Sequence, residues 1–239
     1  MAKQRGPVAS TFSGRVGNVV GAKIKGGEYV TRSYQPAVKN PNTLRQRTSR
    51  MRMTIASRLA AGLAAAIQSG YAFSTNGTKM YPRNMFVAEV VKMNGNGSLV
   101  VVGGQSELDY GTLRVSRRNG INELPIAGTL GVATAGKLVV PITVPQITDI
   151  LPDGKMGVVV CAYEPDGNAS LIGFEQIDGG STANVELTVP SSWSGLTVHV
   201  FAFLKWVPTT GNDVQTDAEP WKYPAQTGDT VYCGTANLT

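Results

Sequence analysis

The stretch Thr197-Val-His-Val-Phe-Ala-Phe-Leu204 decides the fold. Val198, Val200 and Ala202 alternate with His199, Phe201 and Phe203, which is the period of two that a strand imposes on its side chains. Apolar residues stand on both sides of that alternation. Such a strand is central in its sheet, or has one face covered by a partner. Working outward, similar short runs recur at Met85–Met93, Leu99–Val102, Thr112–Ser116, Leu138–Val144, Gly157–Tyr163, Ala169–Glu175, Asn184–Val189 and Thr230–Cys233. Turn signals separate them, among them Asn119-Gly120, Pro165-Asp166-Gly167 and Asp178-Gly179-Gly180. Strands at this spacing with no helix between them predict a mainly β chain built as a β-sandwich. The 28 Gly and 13 Pro suit its many turns.

Upstream the pattern changes. Phe12–Lys25 and Glu28–Tyr34 are two β-rich runs around Gly26-Gly27, the mark of a hairpin. Asn42 or Thr43 is placed to cap a helix that ends at Gly70. Leu44, Met51, Ile55, Leu59, Leu63 and Ala66 fall on one stripe of about 120°. Gly62 lies on that stripe at a cost of roughly 1 kcal/mol against Ala. This is the one helix the sequence predicts. The organisation is therefore a basic arm, hairpin and amphipathic helix over residues 1–75, then a β-sandwich over 76–239.

Charge is unevenly spread. Residues 1–60 hold four Lys and eight Arg against Glu28 alone, a net charge of +11, which leaves −5 on the rest of a chain whose net charge is +6. A basic element on a mildly acidic body points to a polyanion or an acidic partner surface facing it, against the plainer reading of a solvated face. The residues singled out for assembly or polyanion contact are Arg5, Arg15, Lys23, Lys25, Arg45, Arg47, Arg50, Arg52 and Arg58. The start, Met1-Ala-Lys-Gln-Arg-Gly-Pro, has no apolar run of a signal peptide, and no stretch approaches the roughly 18 apolar residues of a membrane span. Synthesis in a cytoplasm is expected, with Cys161 and Cys233 as free thiols.

Catalytic groups are scarce. His199 is the single histidine, set mid-strand among aromatic residues, where a hydrogen-bonded core or interface role is expected. One His and two distant Cys make no zinc set. Gly14–Lys23 superficially looks like a phosphate loop, but lacks the Gly-Lys-Ser/Thr that the chemistry requires. The loop acids Asp149, Asp153, Asp213, Asp217 and Glu219 have neither a catalytic-pair nor a calcium-loop spacing. No enzyme activity, cofactor or metal is expected.

Two motifs carry a resemblance. One runs from Thr11-Phe-Ser-Gly-Arg-Val-Gly-Asn-Val-Val-Gly21 through Tyr29-Val-Thr-Arg-Ser33 to Lys39-Asn-Pro-Asn-Thr-Leu-Arg-Gln-Arg-Thr-Ser-Arg50. The other is Val189-Pro-Ser-Ser-Trp-Ser-Gly-Leu-Thr-Val-His-Val-Phe-Ala-Phe203, with Thr230-Val-Tyr-Cys-Gly234 near the end. Together they resemble an uncharacterised domain family of gut Bacteroidota and their phages and mobile elements. The resemblance implies an immunoglobulin-like C-terminal sandwich and a non-enzymatic role. It transfers no site residue. Pro208–Gln226 is an insertion-like departure, as is Cys233 where a large apolar residue is more usual.

Three functions follow from these features. The favoured one is a virion structural component of a bacteriophage (capsid, head-decorating, connector-ring or tail protein), with copies of itself and other virion proteins as partners and the packaged nucleic acid as a further non-specific contact. A bacterial surface or adhesion module is the alternative. A sequence-specific DNA-binding protein lacks any groove-reading motif.

Overall fold

The structure, a computed structural model of the chain, describes residues 2–3, 13–23, 29–37, 42–92, 95–102, 105–133, 136–146, 154–208 and 226–238. Four strands come first: β1 Ala2–Lys3, β2 Gly14–Val16, β3 Val19–Lys23 and β4 Tyr29–Ser33. They form an antiparallel sheet in the order β1-β4-β3-β2. The expected pairing across Gly26-Gly27 is there as β3 on β4, although the turn itself lies outside the described residues. The first run is not one strand. It folds back at Gly17-Asn18, where Gly17 takes φ +57, and so yields the separate pair β2–β3.

The helical part corrects the sequence reading. Helix α1, Leu44–Gly62, opens with a capping box in which Gln46 N–H donates to Thr43 Oγ1 and Thr43 N–H donates to Gln46 Oε1. Instead of running on to Gly70 it breaks at Leu63, and α2 follows as Ala64–Tyr71. The break sits at a close approach to the turn that carries Asn168. A Cβ at Gly62 would clash with Asn168, and the Gly62 carbonyl accepts from Ser170 Oγ at 2.6 Å. A third helix, α3 Pro82–Val91, occupies most of the run expected as strand Met85–Met93. Pro82 at its start suits a first helical turn. Its buried residues Pro82, Met85, Phe86 and Val90 recur at helical spacing, which outweighs the β-branched composition that suggested a strand.

The remaining strands are β5 Val100–Val102, β6 Gln105–Glu107, β7 Ile126–Ala127, β8 Gly131–Ala133, β9 Lys137–Thr143, β10 Gly154–Glu164, β11 Ala169–Gln176, β12 Thr182–Thr188, β13 Thr197–Pro208, β14 Gln226–Thr227 and β15 Val231–Asn237. The strand expected at Thr112–Ser116 is absent. A 3-10 turn covers Tyr110–Thr112, and Val115 and Ser116 instead donate their N–H groups to Thr230 Oγ1.

One sheet runs β11-β10-β13, with β14 and β15 sharing the far edge of β13. A second runs β12-β9, with β7 and β8 sharing the far edge of β9. The two face each other across a core of Leu138, Val140, Ile142, Val158, Val160, Val198, Val200, Ala202 and Leu204. The other face of β13 is also buried, as its double apolar pattern requires. Its cover comes from the chain itself: Phe201 and Phe203, with Val159 and Cys161 of β10, pack against Leu59, Leu63, Ile67, Tyr71 and Phe86 of the three helices. The chain is thus mainly β, with antiparallel sheets paired in a sandwich-like manner and a helical layer on one of them. Cys161 and Cys233 are both free, one on the helix-facing side of the sheet and the other packed against the inter-sheet core.

Candidate functional site: a basic N-terminal element and an aromatic–acidic patch

From residue 13 to Ile55 the described residues share one property: only Gly21 is buried. Leu44 is 68% exposed, Val16 64% and Met53 51%, so several apolar side chains of this element face outward. Helix α1 acquires its core contacts late, with Ala56, Leu59 and Ala60 as its buried residues. Of the expected stripe, Met51 and Ile55 are half-covered while Leu44 is not.

The singled-out cations do not form one cluster. Arg5 and Lys25 lie outside the described residues. Arg15 and Lys23 stand on the N-terminal sheet, each close to a tyrosine: the Arg15 guanidinium lies 3.5 Å from the Tyr34 ring centroid, and Lys23 Nζ 5.9 Å from that of Tyr29. Arg45, Arg47 and Arg50 are exposed on the first turns of α1. Arg52 is half-buried, and its Nε is enclosed without a hydrogen-bond partner among the described residues. Arg58 sits apart. It reaches the β10–β11 turn and donates from Nη2 to the Asp166 carbonyl at 3.1 Å.

Arg58 thereby borders a patch that pattern reading missed, because its members come from four separate segments. Tyr110 stacks on His199 with ring centroids 3.8 Å apart and planes 16° apart. His199 Nδ1 and Tyr232 Oη are hydrogen-bonded at 2.9 Å, and Tyr163 Oη donates to Asn168 Oδ1 at 2.8 Å. Asp109 caps the turn that carries Tyr110, accepting from Gly111 N–H at 2.9 Å. Asp166 is exposed at the next turn. Glu164 is buried and accepts from the N–H groups of Asp166 and Gly167, both at 2.6 Å. Burial, then the Asp166 carboxylate, push the Tyr110 hydroxyl up; burial, then Asp109, do the same to Tyr232. Burial pulls the His199 imidazolium down.

Two further polar groupings lie elsewhere in the fold. A cleft of about 490 Å³ is lined by Glu89, Lys92, Asn96, Arg114, Arg117 and Asp229. Much of its polarity is spent internally. Glu89 accepts from Tyr71 at 2.8 Å and pairs with Arg117 at 3.4 Å, while Asn96 donates to the Arg114 carbonyl at 2.7 Å. The network ties α2, α3 and the 114–117 segment together, and burial followed by Glu89 drives the Tyr71 hydroxyl well up.

Lys205, on β13, donates from Nζ to Ser69 Oγ at 3.0 Å, and burial pulls its pKa down to about 7. A lysine so shifted beside a serine is the pairing that activates a nucleophile. Both residues are 0% exposed, however, so no substrate reaches them in this conformation. Among the described residues no group of three or more His, Cys, Asp or Glu is placed to hold a metal ion, and no helix is long and apolar enough to cross a membrane.

No curated protein matches the chain. A family described as "Family of unknown function (DUF6266)" matches residues 11–218. That span takes in β2, β3 and β4 of the N-terminal sheet, the helices and both facing sheets as far as β13, and leaves out β1, β14 and β15. The chain belongs to this family of unknown function.

Proposed function

We propose that the chain is a non-enzymatic structural subunit of a bacteriophage particle, a capsid, head-decoration, connector-ring or tail protein, that acts through subunit assembly. Its paired sheets are read as an immunoglobulin-like body and its N-terminal element as the part that grips a neighbour. One observation carries this reading: from residue 13 to Ile55 the described chain is ordered into strands and helix with Gly21 as its only buried residue. Ordering each residue costs about 1–2 kcal/mol of backbone entropy, and burial of apolar surface is the main term that offsets it. An element that folds without a core of its own gains that burial from another surface. Its exposed Val16, Val19, Leu44 and Met53 supply the apolar area, and its cations supply the complement to a body of net charge −5.

The test is to purify particles from a host carrying the gene and to quantify their proteins by mass spectrometry. The reading expects the chain in the particle fraction at a fixed ratio to other particle proteins. Recovery on the outer cell surface, with none in particles, overturns it in favour of an adhesion module.

A further inference from the structure

We propose that the surface formed by Tyr110, His199 and Tyr232, with Asp109 and Asp166 beside it, receives arginines of the N-terminal element of a second copy of this chain. The inference rests on the assembly reading above and names the docking surface for it. The stacked Tyr110 and His199 rings, with Tyr232 hydrogen-bonded behind them, present a rigid, half-buried aromatic platform. Guanidinium groups stack on such faces while bonding to neighbouring carboxylates and carbonyls. One arginine already borders the patch. Arg58 donates from Nη2 to the Asp166 carbonyl, and its charge offsets only part of the burial that pushes the Tyr110 and Tyr163 hydroxyls up. Asp109, Asp166 and Glu164 against Arg58 alone leave the patch negative, so it attracts a further cation.

The occupant follows from charge. Nucleic acid is repelled by Asp109 and Asp166. The N-terminal element is the strongly basic part of the chain, and Arg15 over Tyr34 shows that its cations take aromatic partners. Arg45 and Arg47 are exposed, and their side chains have no ion-pair or hydrogen-bond partner among the described residues. They cannot reach the patch of their own chain. Arg58 occupies its border, and Arg45 lies thirteen residues away on the same helix, about 20 Å at the α-helical rise. Only another copy can bring them there.

Two full-length variants test this, each checked for native circular dichroism. The arm variant carries Arg45→Gln and Arg47→Gln. The patch variant carries Tyr110→Ala and Asp166→Lys, and leaves the Asp109 cap intact. Sedimentation velocity is run on each and on an equimolar mixture. The expected result is that each variant alone associates more weakly than the unaltered chain by about tenfold or more. The mixture regains association, because arm-intact and patch-intact partners together restore one contact. A patch variant that assembles like the unaltered chain while the arm variant does not overturns this docking surface and leaves the assembly reading standing. An unaltered chain that is monomeric throughout overturns both.

Discussion

Lys205 stands wholly buried on the strand whose neighbours Phe203 and Leu204 are core residues. With its pKa lowered from 10.5 to about 7, the folded chain binds fewer protons than the unfolded one between those two values. Stability therefore rises with pH through that window, and below pH 7, where both states carry the proton, the cost of burying the charge is felt in full. Urea unfolding midpoints should climb from about pH 6 to about pH 8, below the range in which Cys161 and Cys233, whose thiols burial pushes up from 9.0, reverse the slope. Lys205→Met should raise the midpoint at neutral pH and flatten the slope; an unaltered chain with a flat profile would contradict the assignment. Gly62 separates two arguments more sharply. Helix propensity alone credits Gly62→Ala with about 1 kcal/mol of added stability. In the structure the new methyl meets the Asn168 side chain and backbone, so the substitution should instead destabilise by about 1–3 kcal/mol. Thermal unfolding of that single variant distinguishes the two by sign.

At the scale of elements, β9, β10, β11, β12 and β13 were legible because each is long enough for alternation to show, and turn residues bracket them. The double apolar face of β13 also foretold a cover, though not that the cover is helical. Helix α3 was misread because Val87, Val90 and Val91 look like a strand when composition is weighed above spacing. Strands β6, β7, β8 and β14 are two or three residues long and are defined by their partners, so no local pattern marks them. The aromatic patch was illegible for the same reason: Tyr110, Tyr163, His199 and Tyr232 meet only once the sheet exists. His199 itself was read as a hydrogen-bonded core or interface residue, which agrees with its half-buried, hydrogen-bonded place. Phe86 tests the helical layer directly. It is fully buried and makes an edge contact with Tyr71 at 6.0 Å between centroids, so Phe86→Ala should cost about 3–5 kcal/mol in equilibrium unfolding. A loss below about 1 kcal/mol would mean that α3 does not seal the sheet.

For the whole molecule, the contrast lies between a body with two cores and an N-terminal element with none among its described residues. Backbone amides of β10 and β13 should be among the slowest to exchange with solvent, since local opening there requires breaking both cores. The N-terminal sheet should behave differently if, as proposed, its order depends on a neighbour. The most direct test of the account is hydrogen–deuterium exchange of the amides in residues 13–37 across a wide concentration series, with sedimentation velocity on the same samples. The account predicts that protection of these amides grows with concentration in step with the appearance of an oligomer, while β10 and β13 stay protected throughout. Equal protection of residues 13–37 at every concentration in a chain that sediments as a monomer would contradict it.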